Sequence, residues 1–372
     1  MGWTKRLLLP VAILTLAAAC GSSIAVDTHA PLGELGKAKD KLVGTAFRST
    51  FSEGDDRYQQ VALQDFASLT TEIGTMTNTV APERGRYDFG EADAVCNLAK
   101  SHDKDCQIHS LIWDPLDQPG WKIVPDWITS QPAPERHETM VDLVTGVTKH
   151  FAGRSSMVTV VNEAFDQMGN LQHNTWWQTT QSDQYIVDAF RAARLADPKT
   201  ELYYNDHSAE THSDKSNAIY ALVKKLRDTT VDVQIDGKTE RKPLIDGMGF
   251  QGHMLGGPNQ QPSTQDMKDN LQRFADLGVD VRFTELDVRI PVEDGVAAPA
   301  DLERQKQVYS TMTNLCVTQP KCSGVTVWGF TDKRSWITDY PDTFSGYGAA
   351  NLYDVDYRPK PARDGVGQAL VG

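Results

Sequence analysis

Two glutamates in this chain have the type and setting to do chemistry: Glu163, in the string VVNEAF (160–165), and Glu285, in FTELDV (283–288). Each closes a run of apolar, β-branched residues, the pattern of a buried strand at its C-terminal end. A carboxylate there cannot be core filling, because an unpaired buried charge is too costly. It must stand at the mouth of a sheet, among polar partners. Two such carboxyls let one donate a proton while the other attacks, which is the division of labour in glycoside hydrolysis. For a double displacement they should lie about 5 Å apart across one pocket. The donor must be kept protonated by desolvation or by its neighbour's charge, and the nucleophile must be kept ionised by donors.

Candidate supports lie close by in sequence. Asp287 follows Glu285 by two residues and so projects on the same face of a strand. His253 stands at the end of another apolar run, IDGMGF. A chain Glu285–His253–Asp287 would fix the imidazole tautomer and orient the nucleophile. Asn162, beside Glu163, could donate to a sugar hydroxyl. Trp328 and Trp336 suit the walls of a sugar site, since indoles stack on C–H faces and still offer an N–H.

The elements that must position these residues repeat in one order. Eight strand candidates, Leu42–Arg48, Leu69–Met76, Cys106–Trp113, Met157–Glu163, Glu201–Asp206, Asp246–His253, Asp280–Val288 and Gly324–Phe330, alternate with amphipathic stretches. The latter include Tyr58–Leu69, Phe89–Ser101, Glu135–His150, Asp183–Leu195, Lys215–Leu226, Thr264–Leu277 and Asp301–Val317. Strand-then-helix without a break in composition predicts a single-domain α/β (β/α)8 barrel over residues 40–372. An open doubly wound sheet is disfavoured because no Gly-rich fingerprint follows the first strand. In such barrels function gathers at the C-terminal strand ends. His109, Trp113, Asn162, Glu163, Asn205, Asp206, Gln251, His253, Glu285, Asp287 and Trp328 all fall there.

Bulk properties narrow the class. The chain has 372 residues and a formal charge of −13. With no basic stripe, nucleic-acid binding is excluded. Lys5 and Arg6 precede an apolar run, Leu7–Ala19, which ends in three alanines before Cys20. This reads as a signal peptide over residues 1–19, with Cys20 a candidate lipid anchor and residues 20–39 a linker. The protein is therefore expected to be secreted or extracellular, held at the surface if Cys20 is acylated. Four further cysteines allow three pairings, of which the local one, Cys96–Cys106 and Cys316–Cys322, is simplest. No Cys/His cluster has metal spacing. No metal, cofactor or partner beyond a carbohydrate is expected, and a monomer is anticipated.

Taken together, several strings resemble glycoside hydrolase family ten, the retaining endo-β-1,4-xylanases. They are APERGRYDF (81–89), VNEAFD (161–166), YYNDH (203–207), IDGMGFQGHM (245–254), VRFTELDV (281–288), GVTVWGFTDKRSW (324–336), QPKCSG (319–324) and YRPKPA (357–362). The resemblance spans most of the chain. It implies a retaining xylanase with Glu163 as acid/base and Glu285 as nucleophile. It implies a cleft lined by Glu72, His109, Trp113, Asn162, Asn205, Gln251, His253, Trp328 and Trp336. A Cys316–Cys322 bridge is also a family feature.

The departures concern one side of the cleft. The family's second strand ends in Pro-Glu-Asn-x-Met-Lys-Trp, and its Asn and Lys hold sugars on the non-reducing side of the cut. Here the string is Thr71-Glu72-Ile73-Gly74-Thr75-Met76-Thr77, so Ile73 and Thr77 replace them. The histidine that usually follows Trp113 is Asp114. Each lost donor removes a hydrogen bond worth about 1 kcal/mol. Catalysis is thus expected to be intact and glycone recognition rebuilt. A saponin glycosidase, as in the family's tomatinase branch, is one alternative. An inactive sugar-binding or inhibitor protein is another, disfavoured by the presence of both glutamates, Asn162 and His253.

Overall fold

The computed structural model describes residues 27–116, 121–340 and 342–372. The expected signal peptide (1–19) and Cys20 lie outside them. Eight parallel strands form the barrel: β1 (Leu42–Phe47), β2 (Ser68–Thr71), β3 (Asp105–Ile108), β4 (Met157–Asn162), β5 (Glu201–Asp206), β6 (Gly247–Phe250), β7 (Asp280–Glu293) and β8 (Cys322–Val327). Each pairs with the next in sequence. β8 also pairs with β1, with Leu42 opposite Gly324, and this closes the ring. Helices cover the outside, among them Gly90–Ser101, Ala133–Phe151, Gln184–Ala196, Asp214–Asp228, Thr264–Ala275 and Pro299–Thr318. Both faces of the strands are buried, one toward the barrel interior and one toward the helices; β1 and β4 are largely apolar, whereas β2 (Ser-Leu-Thr-Thr) and β3 (Asp-Cys-Gln-Ile) bury polar side chains such as Thr70 and Gln107 as well. Val43, Leu69, Ile108, Val160, Leu202, Met248, Val281 and Val325 all belong to this core.

Several boundaries differ from the sequence expectation, and the causes are physical. The first amphipathic helix is Asp56–Asp65, not Tyr58–Leu69. Phe66 is already extended, and Ser68 and Leu69 are strand. β2 and β3 are also shorter than expected. Leu111, Ile112 and Trp113 are buried beyond the strand, and pairing with β4 resumes there after a break at His109 and Ser110: the Leu111 and Ile112 N–H groups donate to the Thr159 and Val160 carbonyls, and Ile112 bridges Val161. His253 is not on β6 itself. After Gly252, with φ +80°, the chain resumes as the short strand His253–Leu255 beside β7, with His253 opposite Asp287.

The stretch 20–39, expected to be linker, contains the helix Leu32–Lys37. Leu32 and Leu35 are buried, and the Leu32 N–H donates to Asp65 Oδ1 at 2.9 Å. The same carboxylate receives Arg363 of the closing helix Pro361–Val371 at 2.7 Å. The two ends of the chain are therefore tied together through Asp65. A hairpin, Thr230–Ile235 with Lys238–Pro243, was also unforeseen. Both local disulfides form, Cys96–Cys106 and Cys316–Cys322.

Candidate active site

Asn162 ends β4 and Glu163 follows it with φ +54°, a left-handed backbone that a non-glycine residue adopts at a cost. That turn carries the Glu163 side chain to the barrel mouth, where it is only 5% exposed. Its Oε2 accepts from Trp113 Nε1 at 2.8 Å, and its Oε1 from Gln251 Nε2 at 2.7 Å and Asn162 Nδ2 at 3.2 Å. Burial raises its pKa above the ordinary carboxylate value, and the Asp206 and Glu285 charges add to that. The His207 charge and the Gln251 hydrogen bond oppose it.

Glu285 lies in β7 and is 4% exposed. Asn205 Nδ2 donates to its Oε1 at 2.6 Å, and His253 Nε2 meets its Oε2 at 3.2 Å. His109 Nε2 stands 3.6 Å from Oε1. Burial pushes this carboxyl upward too, but the neighbouring histidines and Asn205 outweigh it, and its pKa falls below the ordinary value. His109 is itself lowered by burial, so at neutral pH the lasting support comes from His253 and Asn205. Burial opposes charge on His253, yet Asp287 and Glu285 raise it to about 10. The ring is thus an imidazolium that donates from both nitrogens, with Nδ1 to Asp287 Oδ2 at 2.8 Å. The expected relay exists, but no neutral tautomer needs fixing.

A short amide bridge links the two carboxyls. Asn205 Nδ2, besides its bond to Glu285, donates to Asn162 Oδ1 at 2.8 Å. Asn162 Nδ2 in turn donates to Glu163. The Asn162 amide thus spends its oxygen on Asn205 and Gln251 and one N–H on Glu163, while the residue lines the cavity. Gly249 makes the bridge possible: a Cβ there would stand 2.4 Å from Asn205 Oδ1.

Both glutamates face one cavity of about 600 Å³. It is also lined by Glu72, His109, Trp113, Asn162, Gln251, His253, Trp328 and Trp336. Asn205 and Asp287 sit just behind the wall, fully buried. Two indole N–H groups of the pocket are taken by carboxylates: Trp113 by Glu163, and Trp336, whose N–H was expected to be free for a sugar, by Asp287 Oδ2 at 2.8 Å. Trp328 packs edge-on against His109, with centroids 4.9 Å apart.

Among the departures, Ile73 lines the cavity, while Thr77 and Asp114 do not. Asp114 Oδ2 accepts the Thr175 N–H at 2.9 Å and so anchors a loop. Several lining residues were not foreseen: Arg48, Met76, Trp121, His207, Glu210, Arg289, Asp339, Tyr340 and Phe344. All but Arg289, which is on β7, lie on connections without periodicity. Only the parity of Arg289 with Glu285 and Asp287 along β7 marked any of them. Arg48 Nη2 holds Glu72 Oε1 at 2.6 Å. Burial raises the pKa of Glu72, and Arg48 opposes that. No cluster of metal-ligating side chains occurs among the described residues.

The arrangement holds one desolvated carboxyl and one donor-held carboxylate on the same pocket, which suits proton donation beside nucleophilic attack. Comparison with known proteins points the same way. The model of the family described as Glycosyl hydrolase family 10 matches residues 32–369. Endo-1,4-beta-xylanase 1 of Humicola insolens is 34% identical over 353 residues, covering 93% of this chain and 76% of that protein. Endo-1,4-beta-xylanase B of Thermotoga neapolitana is 34% identical over 353 residues, covering 94% of each. The structure of native xylanase 10B from Thermotoga maritima superposes with a TM-score of 0.80 at 34% identity, covering 91% of this chain and 98% of that one. Xylanase 10B from Thermotoga petrophila RKU-1, in complex with xylobiose, gives a TM-score of 0.80 at 33% identity, covering 91% and 97%.

Proposed function

Because this chain belongs to glycosyl hydrolase family 10, a family of glycosidases, we propose that it hydrolyses β-1,4-xylosidic bonds of xylan-type polysaccharide with retention of configuration. In the first step a Glu285 carboxylate oxygen attacks the anomeric carbon. The bond from that carbon to the leaving-group oxygen breaks, and Glu163 gives its proton to that oxygen. A glycosyl ester of Glu285 remains. In the second step the Glu163 carboxylate takes a proton from water, the water oxygen attacks the same carbon, and the Glu285 carboxylate is released. His253 and Asn205 position Glu285, Asp287 holds His253 charged, and Gln251 and Trp113 orient Glu163. The glycone lies over β1 and β2, beside Glu72 and Ile73.

The observation that carries this reading is the contrast between the two carboxyls: Glu163 pushed up by burial, Glu285 pulled down by its donors. The two disulfides suit an oxidising compartment, in keeping with a leader over residues 1–19 and work outside the cytosol. The saponin alternative keeps Ile73 but loses Asp114, whose carboxylate serves a loop.

The test is trapping. A 2-fluoro xylobioside with a good leaving group should inactivate the enzyme stoichiometrically, and peptide mass spectrometry should find the sugar on Glu285. Label on another residue overturns the role of Glu285. A substrate panel of xylan, aryl β-xylobioside and tomatine completes it. Turnover of tomatine with none of xylan would replace the substrate class.

A further inference from the structure

Among the described residues, two connections meet across the cleft. Trp121 follows β3 and Tyr340 follows β8, and their ring centroids lie 5.0 Å apart at 43°. In the barrel β8 and β3 are not neighbours, because β1 and β2 stand between them. A contact between these two connections must therefore pass over the ends of β1 and β2. Trp121 is braced from below by Trp113, edge to face at 5.5 Å.

The rim beneath this contact is also joined. Arg48, after β1, holds Glu72, after β2, at 2.6 Å. Asn78 Nδ2, after β2, donates to the Lys122 carbonyl, after β3, at 3.0 Å. Lys333, after β8, meets Asp55, after β1, at 2.7 Å. Below lie Ile73, Met76 and Asp339, facing the same cavity as the catalytic pair.

A sugar chain lying in a cleft keeps its side groups by pointing them out of the mouth. We propose that the Trp121–Tyr340 contact makes this enzyme selective for undecorated glycones. The sugars held over β1 and β2 must be bare xylose units, since an arabinosyl or uronosyl branch there would meet the two rings. The proposal rests on the xylan reading and on its placement of the glycone; it adds which stretches of xylan are cut. The contact is aromatic and partly open to solvent, with Tyr340 38% exposed, so its removal is compatible with an intact fold.

The experiment digests linear xylan and arabinoxylan with the full-length enzyme and with Tyr340→Ala and Trp121→Ala, and sequences the products by mass spectrometry. Each new reducing end marks the sugars that occupied the glycone side. For the wild type, branches should be missing from the first few sugars counted back from new reducing ends. The kcat/KM should favour linear xylan by tenfold or more. Either variant should place branches there and cut that preference several-fold. Tyr340→Ala is the cleaner of the two because it leaves Trp113 and its bond to Glu163 untouched. Wild-type products branched near the new reducing end overturn the proposal, as does an unchanged pattern in both variants. Failure of the wild type on linear xylan and on aryl β-xylobioside would instead sink the xylan reading, and this proposal with it.

Discussion

The half of the cleft built by β4 to β7 differs from the half built by β8, β1, β2 and β3. In the first half every bond to Glu163 or Glu285, the proposed catalytic pair, comes from a residue on a strand or one step beyond it: Asn162, Asn205, Gln251 and His253. The second half also reaches the two carboxyls, through Trp113 to Glu163 and His109 beside Glu285, but its other contacts run between connections, as in Arg48–Glu72, Asn78–Lys122 and Trp121–Tyr340. The difference follows from what each must do. Charge that develops in a transition state is stabilised only by donors already fixed in place, and strand ends supply that. Recognition of neutral hydroxyls and C–H faces tolerates exchange of residues. Substitutions such as Ile73 can therefore accumulate on one side while the other keeps its full set.

The largest expected effect lies in the catalytic half. Glu285→Ala should lower kcat/KM by on the order of 10⁵-fold or more, as loss of a covalent nucleophile does elsewhere, with an unchanged melting temperature range. Glu163→Gln should cost roughly 10²- to 10⁴-fold on xylan, and far less on an aryl glycoside whose leaving group needs no proton. The pH profile follows from the two shifts. Glu285 must be ionised and its pKa is lowered, so activity should fall only as pH drops below the ordinary carboxylate range. Glu163 must be protonated and its pKa is raised, so the alkaline limb should lie above that range. For Glu163→Gln, measured on the aryl substrate under conditions where glycosylation limits the rate, the alkaline limb should vanish. A limb that persists there would assign it to another group.

Next comes the amide bridge. Asn205→Ala removes a hydrogen bond to a charged oxygen, about 1.5–3 kcal/mol, or roughly 10- to 150-fold in kcat/KM. The acid limb should move upward, because the donor that favours ionised Glu285 is gone. Gly249→Ala should reproduce much of this without touching a polar group, since the added methyl would displace Asn205. Wild-type kinetics in both would show that the bridge between the carboxyls is incidental.

The two halves were not equally legible in the sequence. A strand buried on both faces writes itself as a run of Val, Ile and Leu, so the eight strands and their order could be read. Glu163 and Glu285 stood out because a charge ending such a run needs a reason. Asn205, Gln251 and His253 followed from the same logic of strand ends. Boundaries failed where the ladder broke and then resumed, at His109 to Ile112, and where a helix ran straight into a strand, at Phe66 to Leu69. The hairpin at 230–243 did carry a signal, the alternating Val231, Val233 and Ile235 before Asp236-Gly237, which is a turn pair favoured in hairpins. The residues of the second half left no comparable trace. Arg48, Trp121, Tyr340 and Phe344 meet only in space, on connections whose sequences have no period. Asp114, which stands where the family has a histidine, accepts a backbone N–H, a role that residue type alone does not distinguish.

The smallest expected effect tests whether the two halves are separable. Among the described residues Arg48 supplies the one ion pair to Glu72, which is 8% exposed and has its pKa raised by burial. In Arg48→Ala that opposing charge is gone, so the Glu72 pKa should rise further and its carboxyl should be protonated over a wider pH range. Glu72 then changes from an acceptor held in place to a looser group that can donate one hydrogen bond. The net loss should be that of about one hydrogen bond, roughly 0.5–1.5 kcal/mol, which is a 2- to 13-fold change. It should appear in KM for xylo-oligosaccharides long enough to reach over β1 and β2, and hardly at all in kcat. For an aryl monoxyloside, which does not extend that far, KM should also stay near the wild-type value. If instead kcat falls as far as in Asn205→Ala, the Arg48–Glu72 pair is coupled to the reacting carboxyls, and recognition cannot be rebuilt here without disturbing catalysis.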